Sequence, residues 1–201
     1  LLTNTLSYKP VVNDILKRIK EAGIPAVSID RDVPDLFYIG IDNTTAMRTI
    51  TEHMINVHGF RSFAYISGPA GNSESSDRLA GFSAVLKENG IKILEDAIYY
   101  GDFRAPTGKL AVEHFFDTLP EMPQAIICAN DVMAASAITT LASHGHRVPE
   151  DIAVTGFDNT YNSHNYQVEL TSVERPLGLS GRLACKMLYD HFNGIQQERR
   201  V

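Results

Sequence analysis

The chain is short of positive charge. Its 18 lysines and arginines stand against 24 aspartates and glutamates, a formal net charge of −6. A chain with that balance is not expected to grip a phosphate backbone by itself, which takes a basic patch. Its longest basic run, Arg199-Arg200, reads as a solvated tail. Long apolar stretches are missing too. None approaches the roughly 18 residues that a membrane-crossing helix needs, so no membrane span is predicted. Cysteine is scarce. Cys128 and Cys185 each lie in an apolar segment and read as two buried thiols of a reducing, cytoplasmic setting rather than as a disulfide. The opening Leu1-Leu-Thr-Asn4 has neither a basic start nor a long apolar centre, so it is no secretion signal. It reads as the tail of a strand begun upstream, and the chain is expected to be a fragment. Internal repeats and low-complexity tracts are absent.

Several chemistries lack their residue sets. Gly101-Asp-Phe-Arg-Ala-Pro-Thr-Gly108-Lys109 invites a phosphate-loop reading, but the glycines are too far apart and Leu110 follows the lysine. His53 with His58, and His144 with His146, have no carboxylate or cysteine to complete a metal set and read as surface or helix-end histidines. No serine stands in a nucleophile-elbow sequence. Asn43-Thr-Thr45 matches a glycosylation acceptor, but a helix cap at Asn43 is the preferred reading. No metal or cofactor is expected.

What the chain does have is a set of apolar runs that stop at a polar residue, a glycine or both. They are Ala26-Val-Ser-Ile-Asp30, Phe63-Ala-Tyr-Ile-Ser-Gly68, Ala97-Ile-Tyr-Tyr-Gly-Asp102, Ala125-Ile-Ile-Cys-Ala-Asn-Asp131 and Ile152-Ala-Val-Thr-Gly-Phe-Asp158. Short runs of this kind read as buried strands of a parallel sheet. Helical patterns alternate with them: Val12, Ile15, Leu16 and Ile19 before Gly23; Asn43 to Gly59; about Ser76 to Asn89; Pro106 to Asp117; Asp131 to Ser143; and Pro176 to Phe192. The last carries Leu179, Leu183, Met187 and Leu188 at helical spacing, and Pro176 suits a first helical turn. The alternation predicts an α/β, doubly wound parallel sheet. In such sheets ligands bind outside the carboxyl ends of the strands, which makes Asp30, Asn130 and Asp158 candidates for a binding site. Arg78, at the start of a helix behind the glycine- and serine-rich loop 68–76, reads either as an exposed arginine in a surface ion pair or as a fork of donors aimed into the crevice.

Five segments, in order, resemble the LacI/GalR family of bacterial transcription regulators. They are Gly23-Ile-Pro-Ala-Val-Ser-Ile-Asp30, Ser76-Asp-Arg-Leu-Ala-Gly-Phe82, Asn130-Asp-Val-Met-Ala134, Val148-Pro-Glu-Asp-Ile-Ala-Val-Thr-Gly-Phe-Asp158, and Leu170-Thr-Ser-Val173 with Pro176 and Gly181. The resemblance runs over essentially the whole chain. It implies an effector domain like a periplasmic sugar-binding protein, with two parallel-sheet lobes joined by three crossing strands and a ligand cleft between them. Residues 1–39 and 176–195 would form an incomplete N-terminal lobe and residues 40–172 the C-terminal lobe. The family's helix-turn-helix headpiece lies outside the chain.

The same resemblance assigns Arg78, Asp158 and Asn130 to effector polar groups, Asp30 to the matching acid on the N-terminal lobe, and Phe103 to an aromatic stacked on the ligand. Glu74 and Arg175 fall where family members vary, and they depart from common sugar-binding members. It implies a homodimeric, cytoplasmic regulator, expected to be a repressor and not an enzyme. It would bind a small-molecule effector, a sugar or sugar derivative, and meet operator DNA only through the headpiece. Effector binding would close the cleft and shift the lobes. Arg78 with Arg175 would also suit an acidic or phosphorylated ligand. The same sensory domain on another output module, an extracellular solute-binding protein, and a sugar-converting enzyme stay open as alternatives. Alanine at Arg78 or Asp158 is expected to remove effector binding and leave the fold intact.

Overall fold

The computed structural model describes residues 9–160 and 169–201, with side chains from residue 13 onward. The strand tail expected at residues 1–4, and most of the turn-rich loop after Asn159, lie outside the described residues. The described chain divides into two compact units. One runs up to Ile41 and resumes with Pro176–Val201, and the other is Asp42–Arg175.

In the larger unit each apolar run becomes a strand, and the first three are each followed by a helix. The elements are α2 (Asn43–Asn56), β3 (Phe63–Ser67), α3 (Ser73–Glu88), β4 (Ile98–Tyr100), α4 (Ala105–Thr118), β5 (Ala125–Cys128), α5 (Asp131–Ser143), β6 (Ala153–Asp158) and β7 (Thr171–Glu174). Among the described residues the strands form one parallel sheet in the order β4-β3-β5-β6-β7. Every residue of β3 and β5 is buried, because helices cover both faces of a parallel sheet. Helices α2 and α3 pack as one pair and α4 and α5 as another. On the α3 side, the Tyr65 ring stacks on Phe82 at 4.7 Å and Phe63 meets it edge-on at 6.3 Å. The α4–α5 pair is close. A Cβ built on Gly108 would lie 2.1 Å from the Met133 carbonyl oxygen, which fixed backbone cannot yield.

The smaller unit contains α1 (Lys9–Glu21), β1 (Val27–Ile29), β2 (Phe37–Ile39) and α6 (Leu177–Phe192). Strands β1 and β2 are parallel, and Val27, Ile29, Ile39, Ala184 and Met187 form the core under α6. The chain end adds to β2 through Tyr38 N to Arg199 O at 2.8 Å and Val201 N to Tyr38 O at 3.0 Å. Arg199 is therefore tied into the fold: its guanidinium donates to the Val33 and Leu36 carbonyls and to Asp32. Arg200 also pairs with Asp32. The solvated-tail reading of this pair is corrected.

Other local expectations change for identifiable reasons. Strand β2 was not among the runs read as strands, although Leu36-Phe-Tyr-Ile-Gly40 is a short apolar run that stops at glycine: it is three residues long, and no crossover helix separates it from β1, unlike most parallel pairs. Helix α2 is capped by Asp42, whose carboxylate accepts from Thr45 N at 2.9 Å, and not by Asn43. Helix α3 starts a turn earlier than its apolar pattern because Asn72 caps it, accepting from Ser75 N at 2.9 Å. Pro176 is the cap of α6 rather than its first residue, and Leu179 is exposed, since Ser180, Ala184 and Met187 make the inward stripe. Among the described residues no helix is long and apolar enough to cross a membrane.

The two thiols are not alike. Cys128 is buried in β5 and Cys185 is exposed on α6, which corrects the expectation of two buried thiols. Burial pushes the Cys128 thiol far up, so it has almost no reactive thiolate. The expected result with iodoacetamide near neutral pH is modification at Cys185 alone in the native protein and at both cysteines in urea. Native-state labelling of Cys128 would refute the packing of β5.

Candidate functional site

The strand order places a switch point between β3 and β5, where successive connections leave the sheet in opposite directions. Crevices outside the carboxyl ends of such strands are where open α/β sheets bind ligands. The loops after β3, β4, β5 and β6, with the end of β7, bring Glu74, Arg78, Phe103, Asn130, Asp158 and Arg175 to this side of the larger unit.

Arg78 is its centre. The early start of α3 puts Glu74 in the first turn and Arg78 four residues on, along one helical face. Arg78 is only 1% exposed, so the surface reading is excluded. Its Nε donates to Asn43 Oδ1 at 2.7 Å and its Nη1 to the Ala129 carbonyl at 2.6 Å. The guanidinium lies 3.8 Å from the Phe157 ring centre and 5.9 Å from that of Phe103. Its Nη2 is buried and, among the described residues, has no hydrogen-bond partner. Burial lowers the Arg78 pKa, and the charges of Asp158 and Glu74 oppose that shift.

Around Arg78 the other charges alternate. Its Nη2 is 3.9 Å from Glu74 Oε1 and its Nη1 is 3.7 Å from Asp158 Oδ1. Arg175 spans the same two oxygens, with Nη2 3.7 Å from Glu74 and Nη1 3.4 Å from Asp158. The Arg175 backbone N–H donates to the Asp158 carbonyl at 3.3 Å. Burial raises the Asp158 pKa above the ordinary carboxylate value, and the two guanidinium groups pull it part of the way back.

Asn130 has a structural task at this site. Its Oδ1 caps α5, accepting from Met133 N at 3.0 Å, and its amide nitrogen donates to the Phe103 carbonyl at 3.0 Å. It holds the loop that presents Phe103. That loop is tightly determined: Phe103 has φ 66°, and a Cβ on Gly68 would meet the Phe103 ring at 2.2 Å. Asp158 has φ 103°, and Asp30, at the end of β1 in the other unit, has φ 65°. Non-glycine residues held at positive φ cost of order 1–3 kcal/mol each and gather at ligand sites. Asp30 is anchored through its N–H to the Ile39 carbonyl at 2.8 Å.

Three participants were missed by sequence reasoning. Asn43 was read as a cap because Asp42, an equally good cap, stands just before it. Phe157 was read only as strand core. Asp131 is a buried hub: Oδ1 accepts from Ser172 Oγ at 2.5 Å and Oδ2 from Thr160 N at 2.8 Å. Its neighbour Gly156 leaves room for it, since a Cβ there would lie 2.2 Å from Asp131 Oδ1. The signal for Asp131 was the Asn-Asp pair after β5, but nothing in the sequence points it at β7.

The arrangement offers donors, acceptors and an aromatic face, which suits recognition of a polar molecule. Among the described residues no group of three His, Cys, Asp or Glu side chains could hold a metal ion. His53 Nε2 lies 3.2 Å from His58 Nε2, and His58 stacks on Phe60.

A sequence profile for a periplasmic binding protein-like domain matches residues 51–201. The HTH-type transcriptional regulator CelR of Thermobifida fusca is 34% identical over 184 residues, covering 90% of this chain and 54% of that protein. The HTH-type transcriptional repressor PurR of Klebsiella pneumoniae is 32% identical over 158 residues, covering 79% of this chain and 46% of that protein. The chain thus spans about half the length of the curated relatives it matches. Among solved structures, a transcriptional regulator CelR–cellobiose complex superimposes with a TM-score of 0.87 at 31% identity, over 100% of this chain and 61% of that one. A LacI-family regulatory protein from Chloroflexus aggregans gives 0.84 at 26% identity, over 92% of this chain and 67% of that one.

Proposed function

The chain belongs to the periplasmic binding protein-like domain family, in the form that LacI-family regulators carry, and from that premise we propose that it is the effector-sensing part of a transcriptional regulator whose effector is a sugar or sugar derivative. The observation that carries the reading is the buried Arg78 guanidinium. It is held by Asn43 and Ala129 between the carboxylates of Glu74 and Asp158, with the Phe103 ring beside it. Sugar hydroxyls both donate to carboxylates and accept from a guanidinium, and an aromatic face covers the apolar side of a pyranose. The solved relative in complex with cellobiose supports a saccharide. The other relatives named are regulators, which favours regulation over catalysis.

In this reading the whole protein acts as a homodimer whose DNA contacts come from a headpiece, and effector binding changes operator affinity. Coupling of this kind is typically worth about 1–3 kcal/mol. An effector that left operator affinity of the full-length regulator unchanged would sink the allosteric part.

A thermal-shift series with neutral mono- and disaccharides, cellobiose among them, tests the ligand class. A ligand at about one hundred times its Kd adds roughly 2.7 kcal/mol to a native state it binds alone, so a matching saccharide raises Tm by several degrees. Asp158→Ala is expected to remove that rise, because it deletes the acceptor shared by Arg78 and Arg175. Stabilisation by nucleobases and by no saccharide would overturn the sugar assignment.

A further inference from the structure

Two arginines in one site suggest an acidic ligand, but the geometry points the other way. Arg78 and Arg175 each lie within 4.0 Å of both Glu74 and Asp158. The four side chains close a ring in which every cation has two anionic neighbours and every anion two cationic ones. Its formal charges, two positive and two negative, cancel. The ring is well withdrawn from water, with side-chain exposures of 2% for Arg78, 10% for Glu74, 16% for Arg175 and 19% for Asp158. Beyond the ring, the negative charge of Asp131 also acts on Asp158. Among these four side chains the balance is zero.

We propose that Glu74 makes the site selective for uncharged ligands by cancelling the second arginine. An anion entering the ring would bring a charge that nothing there compensates, and an uncompensated charge away from water is costly. A neutral polyol avoids this cost. At 3.7 to 3.9 Å three of the four pairs attract without hydrogen bonding. Inserted hydroxyls can bond to these groups and leave the charge balance unchanged. The inference rests on the sensory reading above and narrows its ligand to an uncharged sugar.

The test uses Glu74→Gln, which keeps the shape and leaves the ring one positive charge. Binding of inorganic phosphate, and of neutral sugars with their phosphorylated counterparts, is followed by thermal shift and calorimetry in parent and variant. The parent is expected to prefer the neutral member of each pair and to be indifferent to phosphate. The variant is expected to bind phosphate at least about tenfold more tightly than the parent, well within the attraction of one extra charge near a protein surface. Asp158→Asn leaves the same net charge and gains phosphate in the same way. The double variant Glu74→Gln, Arg175→Gln is neutral again and loses the gain. A parent that binds phosphorylated sugars better than neutral ones overturns the proposal, as does the absence of anion gain in both single variants. If the parent binds no saccharide of either kind, the sugar reading fails, while the phosphate response of the variants still decides the charge selection.

Discussion

Arg78→Met is expected to destabilise the protein by about 3–5 kcal/mol, the range seen when one partner is taken from a buried ion pair. The substitution keeps the length of the side chain and removes every polar contact. Asn43 Oδ1 and the Ala129 carbonyl each lose the Arg78 donor, and Glu74 and Asp158 each lose one guanidinium neighbour in a buried setting. The flat contact of the guanidinium with Phe157 is lost as well. Urea denaturation followed by circular dichroism should show a midpoint well below the parent's, and the ligand-induced rise in Tm should vanish. Arg78→Lys is expected to recover part of the stability through its charge and little of the binding, since an ammonium cannot reproduce the fork. An Arg78→Met midpoint equal to the parent's would show that the buried contacts carry no weight. This result departs from the expectation drawn from sequence, in which alanine at Arg78 spares the fold. A guanidinium that joins α3 to the start of α2 and the end of β5 is part of the framework as well as of the site.

Asp131→Ala should cost about 2–4 kcal/mol, because it takes the buried carboxylate from the Thr160 N–H and the Ser172 hydroxyl, each such loss being worth roughly 1–3 kcal/mol. Asp131 takes the shorter of the two bonds from Ser172 Oγ on β7, at 2.5 Å against 3.5 Å to the Val173 carbonyl, and it also receives the N–H of Thr160 just after β6. Its removal should loosen β7 and the segment that places Asp158. Asp131→Asn keeps one acceptor and should fall between parent and alanine. The effect has a pH signature. Burial raises the Asp131 pKa in the folded state. An acid whose folded pKa is raised contributes stability that is full below its unfolded value and declines as pH rises through the folded value. The stability difference between parent and Asp131→Ala should therefore be larger near pH 4 than near pH 7, by urea titrations at both. A difference that grew with pH would mean the folded carboxylate is stabilised rather than penalised by its surroundings.

The most legible strands were those buried on both faces. Residues 63–67, 125–128 and 153–157 are all buried, which is why their runs are dominated by apolar residues. Strand β4 was legible too, although it is short and partly exposed. The strands not read, β2 and β7, are also short and partly exposed, and their place comes from pairing with residues elsewhere in the chain. The alternation of apolar runs with helical patterns was enough to reach an α/β fold, and the end-of-strand polar residues were enough to expect a ligand site at the carboxyl ends. The five motif segments led to the family in which the chain belongs.

The roles within the site needed tertiary structure. That Asn130 caps α5 and holds the Phe103 loop came only with its bonds to Met133 and Phe103. Asn43 stands far from Arg78 in sequence and meets it only because α2 and α3 pack side by side. Glu74 and Arg175 read as two departures from sugar-binding relatives, and Arg78 with Arg175 also suited an acidic ligand. The sheet order brings the end of β7 beside β6, where the arginine's charge is cancelled by a glutamate on α3. Sequence determined which groups this protein carries to its binding side, because strand ends are marked locally. Whether those groups attract or neutralise one another depends on distances across the sheet, and only the fold sets those distances.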